Sequence, residues 1–553
     1  MEFPNLSSMH RAVAERLGSK TALRHKRQGS YLDLSWKDYR SQADHASAGL
    51  IDLGIQPGDR VAMLSENRYE WLIADHAMLS AGAVTVPMHA PLSPRQAAYQ
   101  IGHSDARGVL VSTQAQATKI IEVIDDLPNL EFLVSFEGIV DAPDIPHLTW
   151  KELMHRGGES DGASRVATRE NALTREDLAT ILYTSGTTGD PKGVMLSHGN
   201  ILANTEATLL ALDHLPSDVL LSWLPYSHIY ARTIDHYLTT MGGSTLCLAE
   251  SFDALRDNLA EVQPTWMTSV PRFYEMVWSD VEHLPESERN EELHRIFGPG
   301  LRHLSSGGAP LPPHVGHGFV AAGIPLLQGY GLTESSPVIS FNRLGQNRIG
   351  TVGPTLDNVE VEIADDGEIL TKGPHVMQGY WKNAEATAET IVDGWLHTGD
   401  VGELDEDGFL TITDRKKDLI ITSGGENVAP NLLERLMVSD PYIDQAVAYG
   451  DRRKFVSALI VPNYDALNSV ASELGCSVDA EGGFIRDPRL IEFLQNRIDT
   501  VMQEVSQPER VKKCLVLDRA FTVDEDELTA TLKVRRRFIT GKYAEQLAAL
   551  YES

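Results

Sequence analysis

The sequence predicts an α/β protein, with a large N-terminal domain of mixed, largely parallel sheets and a smaller α/β C-terminal domain. Helical and strand-like patterns alternate over about the first 175 residues, which is typical of βαβ units. Alternating polar and apolar residues begin at Asn358, and helices and strands mix again after Pro430. A chain of 553 residues is also long enough for more than one domain.

The individual elements follow from apolar periodicity and from turn residues. In the first part we expect helices over 39–53, 71–81 and 94–104, and strands over 60–64, 83–86 and 108–111. The polar, glycine-rich stretch 157–169 is predicted to be an exposed connection. From Pro430 onward, the sequence predicts helices over 430–438 and 488–505 and strands over 445–448 and 458–461.

A small antiparallel subdomain is predicted between these two regions, over about 355–413. The run Val359–Ile363 alternates polar and apolar residues and ends at the turn Asp366-Gly367. A second hairpin is predicted around Asp407-Gly408. We expect the subdomain to be a small, distorted, barrel-like sheet.

Composition excludes several classes of function. The net charge of −30 argues against a nucleic-acid partner and against electrostatic docking on anionic lipid. The three cysteines, Cys247, Cys476 and Cys514, are widely spaced, which predicts a reduced, cytoplasmic protein without disulfides or a cysteine metal cluster. The first 20 residues lack the apolar core of a signal peptide, and Asp75 interrupts the most apolar run, so we expect no transmembrane helix.

The run 181–193, ILYTSGTTGDPKG, predicts a phosphate-binding loop after a buried strand over 178–183. Glycines allow backbone N–H groups to surround an anion, hydroxyls add donors, and Lys192 adds a positive charge. The order differs from the common P-loop, because Pro191 rather than glycine precedes the lysine. The alternative is a flexible linker. Ser197-His198-Gly199-Asn200 then predicts the start of a helix.

This loop resembles the signature loop of the adenylate-forming superfamily, which comprises acyl-CoA synthetases, luciferases and peptide-synthetase adenylation domains. The resemblance implies that the loop binds the phosphates of ATP, with Lys192 also acting in catalysis and Thr188 also contacting Mg²⁺. The implied ATP-binding residues of the loop are Thr184, Ser185, Gly186, Thr187, Thr188, Gly189 and Lys192.

Two further loops follow predicted strands, where ligands of open α/β sheets bind. The first contributes Gly307, Gly308 and Ala309, and the second contributes Gln328, Gly329, Tyr330, Gly331, Thr333 and Glu334. A tyrosine ring offers a flat face for adenine, a threonine hydroxyl suits a phosphate, and a carboxylate suits Mg²⁺. We therefore expect catalytic roles for Thr333 and Glu334, with Glu334 as a metal ligand.

The segment 221–232, LSWLPYSHIYAR, matches the superfamily stretch that lines the acyl pocket. The resemblance assigns His228 to this pocket as a catalytic residue. The alternative is a histidine whose hydrogen bonds are satisfied in the core. The segment 264–275 resembles one typical of long-chain acyl-CoA synthetases, although a buried strand followed by a helix would also explain it.

The resemblance also assigns residues around a predicted hinge at about 414–418. Asp400 would hold the ribose hydroxyls, as carboxylates can, with Ile412 and Arg415 beside the nucleotide. The alternative for Asp400 is a residue that caps a turn. Lys417 would be the pivot between an N-terminal domain, 1–416, and a mobile C-terminal lid, 417–553. The loop carrying Gly424, Gly425 and Glu426 would line the pantetheine tunnel of CoA. The charge run itself would otherwise be interpreted as a solvated turn.

The catalytic lysine of the superfamily falls on Lys533, where it would bridge the substrate carboxylate and the α-phosphate. The surrounding run 528–537, LTATLKVRRR, looks like the long-chain group. Arg535–Arg537 could contact CoA phosphates or form an exposed basic turn, and the second interpretation is favoured.

The resemblance covers about residues 35–545 and implies a fatty acid–CoA ligase that uses ATP, Mg²⁺ and CoA. Two alternatives stay open: a fatty acyl-AMP ligase that loads an acyl carrier protein, and a non-catalytic acyl or nucleotide binder. The expected partners are small-molecule substrates. The sequence leaves open a monomer or homodimer, and a peripheral membrane contact.

Overall fold

The fold is taken from a computed structural model of the chain. The structure describes residues 2–140, 144–158, 161–184, 190–416, 419–423, 427–507, 509–523, 525–528 and 534–551.

Within these residues the α-helices, numbered α1 to α20 in chain order, are Leu6–Leu17, Trp36–Asp52, Tyr69–Ser80, Pro94–Ser104, Gln114–Ile121, Trp150–Gly158, Gly162–Ala172, His198–Ala211, Ile229–Ala231, Thr239–Gly242, Leu255–Val262, Pro271–Val281, Glu286–Phe297, Pro313–Ala321, Ala384–Thr390, Pro430–Val438, Tyr464–Leu474, Pro488–Val501, Arg536–Lys542 and Ala544–Ala549. Short 3₁₀ turns lie at Ile124–Asp126, Thr333–Ser335 and Met502–Glu504, and a π-helical segment at Arg232–Leu238.

The described β-strands, numbered β1 to β28, are Thr21–Arg27, Ser30–Ser35, Arg60–Leu64, Val84–Met88, Ala106–Val111, Phe132–Ser135, His147–Thr149, Leu178–Thr184, Lys192–Ser197, Val219–Ser222, Thr245–Leu248, Trp266–Ser269, His303–Ser306, Leu326–Gly331, Val338–Phe341, Glu360–Ile363, Glu368–Lys372, Gly379–Tyr380, Ile391–Val392, Trp395–Leu404, Leu410–Arg415, Ile420–Ile421, Asn427–Val428, Ile443–Tyr449, Val456–Pro462, Ala480–Glu481, Phe484–Ile485 and Val511–Val516.

Two eight-stranded sheets form the framework of the N-terminal part. One has the strand order β18-β9-β8-β4-β3-β5-β6-β7 and the other β15-β14-β13-β12-β10-β11-β1-β2. Pairs in the middle of each sheet are parallel, whereas β8–β9, β9–β18, β14–β15 and β1–β2 are antiparallel. The predicted α/β fold with mixed, largely parallel sheets is therefore confirmed. Several predicted elements agree closely, and β3 has the predicted bounds 60–64.

The prediction of an exposed connection over 157–169 is wrong. Apart from Asp161, which precedes α7, the described parts of this stretch belong to α6 and α7, which pack against α2. Gly157 approaches α2 so closely that an added Cβ would lie 1.9 Å from the carbonyl oxygen of His45. The side chain of Val166 is fully buried. Gly157 thus permits close helix packing rather than marking a loop.

The predicted small antiparallel subdomain is a five-stranded sheet with the order β16-β17-β20-β19 and with β21 paired to β20. The hairpin β16–β17 pairs Ile363 with Ile369, as the Asp366-Gly367 turn predicts. The ten-residue strand β20 carries Asp400 and pairs it with Arg415 on β21. The subdomain therefore places two predicted nucleotide-binding residues side by side.

The C-terminal part has its own sheet and apolar core. Its strands β24, β25 and β28 form a three-stranded sheet in that order. Helices α16, α17 and α18 contribute Leu433, Leu467 and Leu494 to the apolar cluster around this sheet. No helix in the described part of the chain is long and apolar enough to span a bilayer.

Arg232 joins the π-helical segment to α3 through a buried ion pair and to β4 and β8 through hydrogen bonds. The Arg232 guanidinium contacts the carboxylate of Asp75 on α3, and both side chains are 0% exposed. It also donates to Thr180 on β8 and Thr85 on β4. Burial alone would raise the pKa of Asp75, but the Arg232 guanidinium beside it holds this pKa below its ordinary value. The hydrogen bond from Arg232 to Thr180 ties the segment after His228 to the strand that precedes the phosphate loop.

A second buried carboxyl, Asp235, lies in the same π-helical segment. The Ser222 hydroxyl donates to its Oδ2 at 2.7 Å. Burial raises the pKa of Asp235 from 3.8 to about 7. This carboxyl is therefore protonated in the folded protein over part of the acid range where it would be ionised in the unfolded chain.

Asp235→Asn is expected to flatten the pH dependence of stability. Because the folded pKa is the higher one, Asp235 stabilises the folded state fully below about pH 4, and this contribution is lost as the pH rises to about 7. The loss is about 1.4 kcal/mol per pH unit in this window. Between pH 4 and 7.5, the melting temperature of the variant should rise relative to that of the wild type as the pH increases. Asp253→Asn, at an exposed position, should follow the wild-type profile, and a parallel profile for Asp235→Asn would contradict the assignment.

Candidate active site

The predicted phosphate loop lies between two paired strands. Thr184 ends β8, Lys192 begins β9, and the two residues are register partners in this antiparallel pair. Strand β9 was not predicted, although its apolar run Val194-Met195-Leu196 could have indicated it. The predicted helix follows as α8, where Ser197 and Asn200 form a capping box. The hairpin therefore fixes the two ends of the loop.

Lys192 and Glu334 both contact the side chain of Tyr380. The Lys192 Nζ lies 4.8 Å from the ring centroid of Tyr380. The Tyr380 hydroxyl donates to Glu334 Oε1 at 2.9 Å. The structure thus brings together the predicted phosphate-binding lysine and the predicted metal-binding carboxylate, and Tyr380 is the residue that sequence reasoning missed. A Gly-Tyr-Trp run at 379–381 carries no specific functional signal.

A second group of predicted residues forms a hydrogen-bonded chain. The Tyr330 hydroxyl donates to Asp400 Oδ2 at 2.6 Å, and Arg415 Nε donates to Asp400 Oδ1 at 2.9 Å. Burial and the Asp400 carboxylate raise the pKa of Tyr330 well above its usual value, so its hydroxyl remains a donor. Asp400 is 3% exposed. Ile412 lies nearby on β21, against an apolar cluster with Ile369 and Leu410.

The glycines around Tyr330 are required by strand packing. A Cβ on Gly331 would lie 1.8 Å from the carbonyl oxygen of Pro337, and a Cβ on Gly329 would lie 2.4 Å from the ring of Phe341. Gln328, at the start of this run, accepts a backbone hydrogen bond from Asn342. These glycines let β15 approach β14 closely, which explains them without a ligand. Tyr330 lies between these two glycines and is the register partner of Ser340 on β15.

Thr333 and Glu334 lie in the 3₁₀ turn that follows β14. The backbone carbonyl of Glu334 accepts from the Met377 N–H at 2.9 Å, which attaches the turn to the segment before β18. Among the described residues, no three His, Cys, Asp or Glu side chains are arranged to hold a metal ion by themselves. Mg²⁺ in nucleotide sites is commonly held by one or two carboxylates and the substrate phosphates, so Glu334 fits this role.

His228 lines a narrow apolar pocket with the predicted glycine loop. The pocket has a volume of about 20 Å³ and is lined by Leu224, Pro225, His228, Tyr230, Ala231, Val270 and Gly308. Gly307, Gly308 and Ala309 follow β13. Gly307 lies against the Tyr230 ring, so that a Cβ added to Gly307 would lie 2.8 Å from a ring carbon of Tyr230. The Nδ1 of His228 accepts from the Tyr230 N–H at 3.2 Å. About one water molecule fits this volume, so an acyl chain requires side chains to move.

Ten predicted site residues lie outside the described residues. They are Ser185, Gly186, Thr187, Thr188, Gly189, Lys417, Gly424, Gly425, Glu426 and Lys533.

Known protein families match both parts of this α/β fold. Residues 10–381 match the family model described as AMP-binding enzyme, and residues 417–553 match that of the AMP-binding enzyme C-terminal domain. The chain belongs to the AMP-binding enzyme family, which confirms the predicted superfamily.

Named relatives refine the comparison. The chain is 35% identical to the long-chain-fatty-acid–CoA ligase FadD15 of Mycobacterium tuberculosis, over 95% of this chain and 93% of that relative. It is 27% identical to the long-chain-fatty-acid–[acyl-carrier-protein] ligase AEE15 of Arabidopsis thaliana, over 100% and 87% respectively. The crystal structure of the anthranilate CoA ligase AuaEII with anthranoyl-AMP has the same fold, with a TM-score of 0.81, 20% identity and 99% coverage of both chains.

Proposed function

We propose that the protein is a fatty acid–CoA ligase that forms AMP and pyrophosphate. The observation that carries this proposal is the arrangement at the end of β14. The Tyr330 hydroxyl donates there to Asp400, which also accepts from Arg415. Glu334, four residues later, accepts from the Tyr380 hydroxyl, and the Tyr380 ring lies 4.8 Å from Lys192 Nζ. Residues at the end of one strand could thus bind both the nucleoside and the phosphates of a nucleotide. The long-chain-fatty-acid ligases among the relatives support a fatty acid as the second substrate.

The first half-reaction joins the fatty acid to AMP. The substrate carboxylate attacks the α-phosphorus of ATP, a P–O bond to the acyl oxygen forms, and the bond to pyrophosphate breaks. Lys192 and the loop 184–189 hold the phosphates, Thr333 donates to one of them, and His228 orients the acid at the mouth of its pocket. Glu334 and Thr188 would hold Mg²⁺, which offsets the charge of the phosphates when bound. Positioning and charge compensation supply most of the acceleration.

The second half-reaction transfers the acyl group to CoA. The CoA sulfur forms a bond to the acyl carbon, the bond from that carbon to the phosphate oxygen breaks, and AMP leaves with that oxygen while the thiol proton is released to solvent. In this proposal residues 417–553 are a lid that turns about Lys417 between the two steps, withdrawing Lys533 and presenting the loop 424–426. Such motions complete one set of catalytic contacts at a time.

The junction before the pivot is held by Asp414. Its carboxylate accepts from the backbone N–H and the side-chain Nδ2 of Asn431 on α16, at 3.1 and 2.8 Å. These bonds join β21 to the first helix of the proposed lid. Burial raises the pKa of Asp414 to about 6. A turn about 417 would have to preserve or break these contacts.

A second candidate function is transfer of the acyl group to an acyl carrier protein. The similarity to AEE15 favours keeping this candidate. A non-catalytic acyl binder would release no AMP, and a simple ATPase would release ADP.

The direct experiment measures AMP and pyrophosphate release against acids of graded chain length. The acceptor supplied is CoA, a phosphopantetheinylated carrier protein or neither. The products are identified by mass spectrometry. Acyl-CoA with AMP is the expected result. Acyl-carrier product alone would establish the alternative, and absence of AMP with every acid would contradict the proposal.

Glu334→Gln is expected to weaken the use of MgATP. The amide keeps the size of the side chain but removes the negative charge that Mg²⁺ needs, so we expect the Mg²⁺ concentration for half-maximal pyrophosphate release to rise about tenfold or more. Glu362→Gln, at an exposed position on β16, serves as the matched control. An unchanged Mg²⁺ dependence in a folded Glu334→Gln variant would remove this role.

The cellular setting belongs to the same proposal. We propose a cytoplasmic enzyme on the basis of its free cysteines Cys247, Cys476 and Cys514, two of which are buried. Size measurements in solution will distinguish a monomer from a homodimer, and vesicle sedimentation will test a peripheral membrane contact.

A further inference from the structure

The side chain of Tyr380 contacts both charged groups of the proposed phosphate site. Its hydroxyl bonds Glu334 Oε1 at 2.9 Å, and its ring lies 4.8 Å from Lys192 Nζ. The residue is 7% exposed. One side chain thus lies between a carboxylate and an ammonium group that come from distant parts of the chain.

The backbone around Tyr380 explains this placement. Strand β18 pairs with β9, so that Tyr380 is the register partner of Val194. Side chains two residues apart on a strand point to the same face, which makes Lys192 the diagonal neighbour of Tyr380. The Trp381 N–H donates to the Gly193 carbonyl at 2.7 Å, and this bond secures the pairing next to Lys192.

The same segment also holds the backbone of Glu334. Three residues before Tyr380, the Met377 N–H donates to the Glu334 carbonyl. The Tyr380 N–H donates to Thr387 Oγ1 of α15 at 2.9 Å. Segment 377–381 therefore spans from the turn that carries Glu334 to the strand that carries Lys192, with Tyr380 anchored between them.

We propose that Tyr380 is a positioning residue for the phosphate and magnesium site: its hydroxyl orients Glu334 toward the metal, and its ring orients Lys192 toward the phosphates. The inference rests on the proposed function, in which Glu334 holds Mg²⁺ and Lys192 holds phosphate. A neutral phenol that donates to a metal-binding carboxylate fixes which oxygen is left for the cation. A ring beneath an ammonium group restricts it without neutralising its charge.

The two contacts can be separated by substitution. Tyr380→Phe keeps the ring under Lys192 and removes the hydroxyl from Glu334, whereas Tyr380→Leu removes both. Tyr464→Phe is the matched control, because it deletes a phenol hydroxyl that donates to the Leu517 carbonyl in the C-terminal part. Melting temperatures of all variants report whether each one folds.

The readout is ATP binding by titration calorimetry at graded Mg²⁺ concentrations, without fatty acid, so that no turnover occurs. For Tyr380→Phe we expect the Mg²⁺ requirement to rise about tenfold, with wild-type ATP affinity at saturating Mg²⁺. For Tyr380→Leu we expect ATP affinity to stay about three- to tenfold weaker even at saturating Mg²⁺. Tyr464→Phe should match the wild type.

A double variant separates failure of this inference from failure of the proposed function. If the hydroxyl acts through Glu334, Tyr380→Phe adds no further change in a Glu334→Gln background. A Mg²⁺ shift with Glu334→Gln but none with Tyr380→Phe would overturn the inference alone. No shift with Glu334→Gln would overturn the magnesium role and the inference together.

Discussion

Lys533→Ala is expected to block adenylate formation while leaving thioester formation from supplied acyl-adenylate largely intact. Lys533 would neutralise two anions, the substrate carboxylate and the α-phosphate, only while they react. Loss of one such charge-stabilising group reduces a rate by about 10²–10³-fold. The two half-reactions are measured separately, as pyrophosphate release with acid and ATP, and as acyl-CoA formation from synthetic acyl-adenylate.

Lys512→Ala is the control for this experiment, because Lys512 is an exposed lysine on β28 of the same part of the chain. Both of its half-reactions should remain at wild-type rates. Equal loss of both half-reactions in a folded Lys533→Ala variant would remove the role given to Lys533.

Breaking the buried pair between Asp75 and Arg232 is expected to be the most destabilising single change. Arg232→Met leaves the Asp75 carboxylate fully buried without its guanidinium partner. Such a loss typically costs about 3–5 kcal/mol, whereas replacement of both charges by apolar groups is much less damaging. The double variant Asp75→Leu with Arg232→Met should therefore recover part of the loss in thermal unfolding.

Arg256→Met provides the matched control, because the Arg256–Asp280 pair is about half exposed on both sides. Exposed ion pairs contribute about 0–1 kcal/mol, so this change should hardly move the melting temperature. An Arg232→Met variant as stable as Arg256→Met would contradict the account of the buried pair.

Local patterns predicted much of the fold. Strand β3 and helix α16 have the predicted bounds, because apolar periodicity and flanking turn residues define them locally. The stretch 157–169 was misjudged because glycine has two uses, and only the approach of α2 shows that Gly157 is a packing residue. Composition alone does not separate these uses.

For the site as well, some residues could be predicted from local motifs and one could not. The motif residues Tyr330, Asp400 and Arg415 were predicted by resemblance, and the structure joins them by hydrogen bonds. Tyr380 was missed because its role depends on the pairing of a two-residue strand with distant β9. Pairing between segments far apart in the chain leaves no periodic signal in either segment.

A crystal structure with a non-hydrolysable MgATP analogue would locate the triphosphate directly. The triphosphate is expected in the turn between Thr184 and Lys192, the metal at Glu334, and the adenosine beside Tyr330 and Asp400. A triphosphate bound elsewhere on the protein, away from Lys192, would contradict this placement.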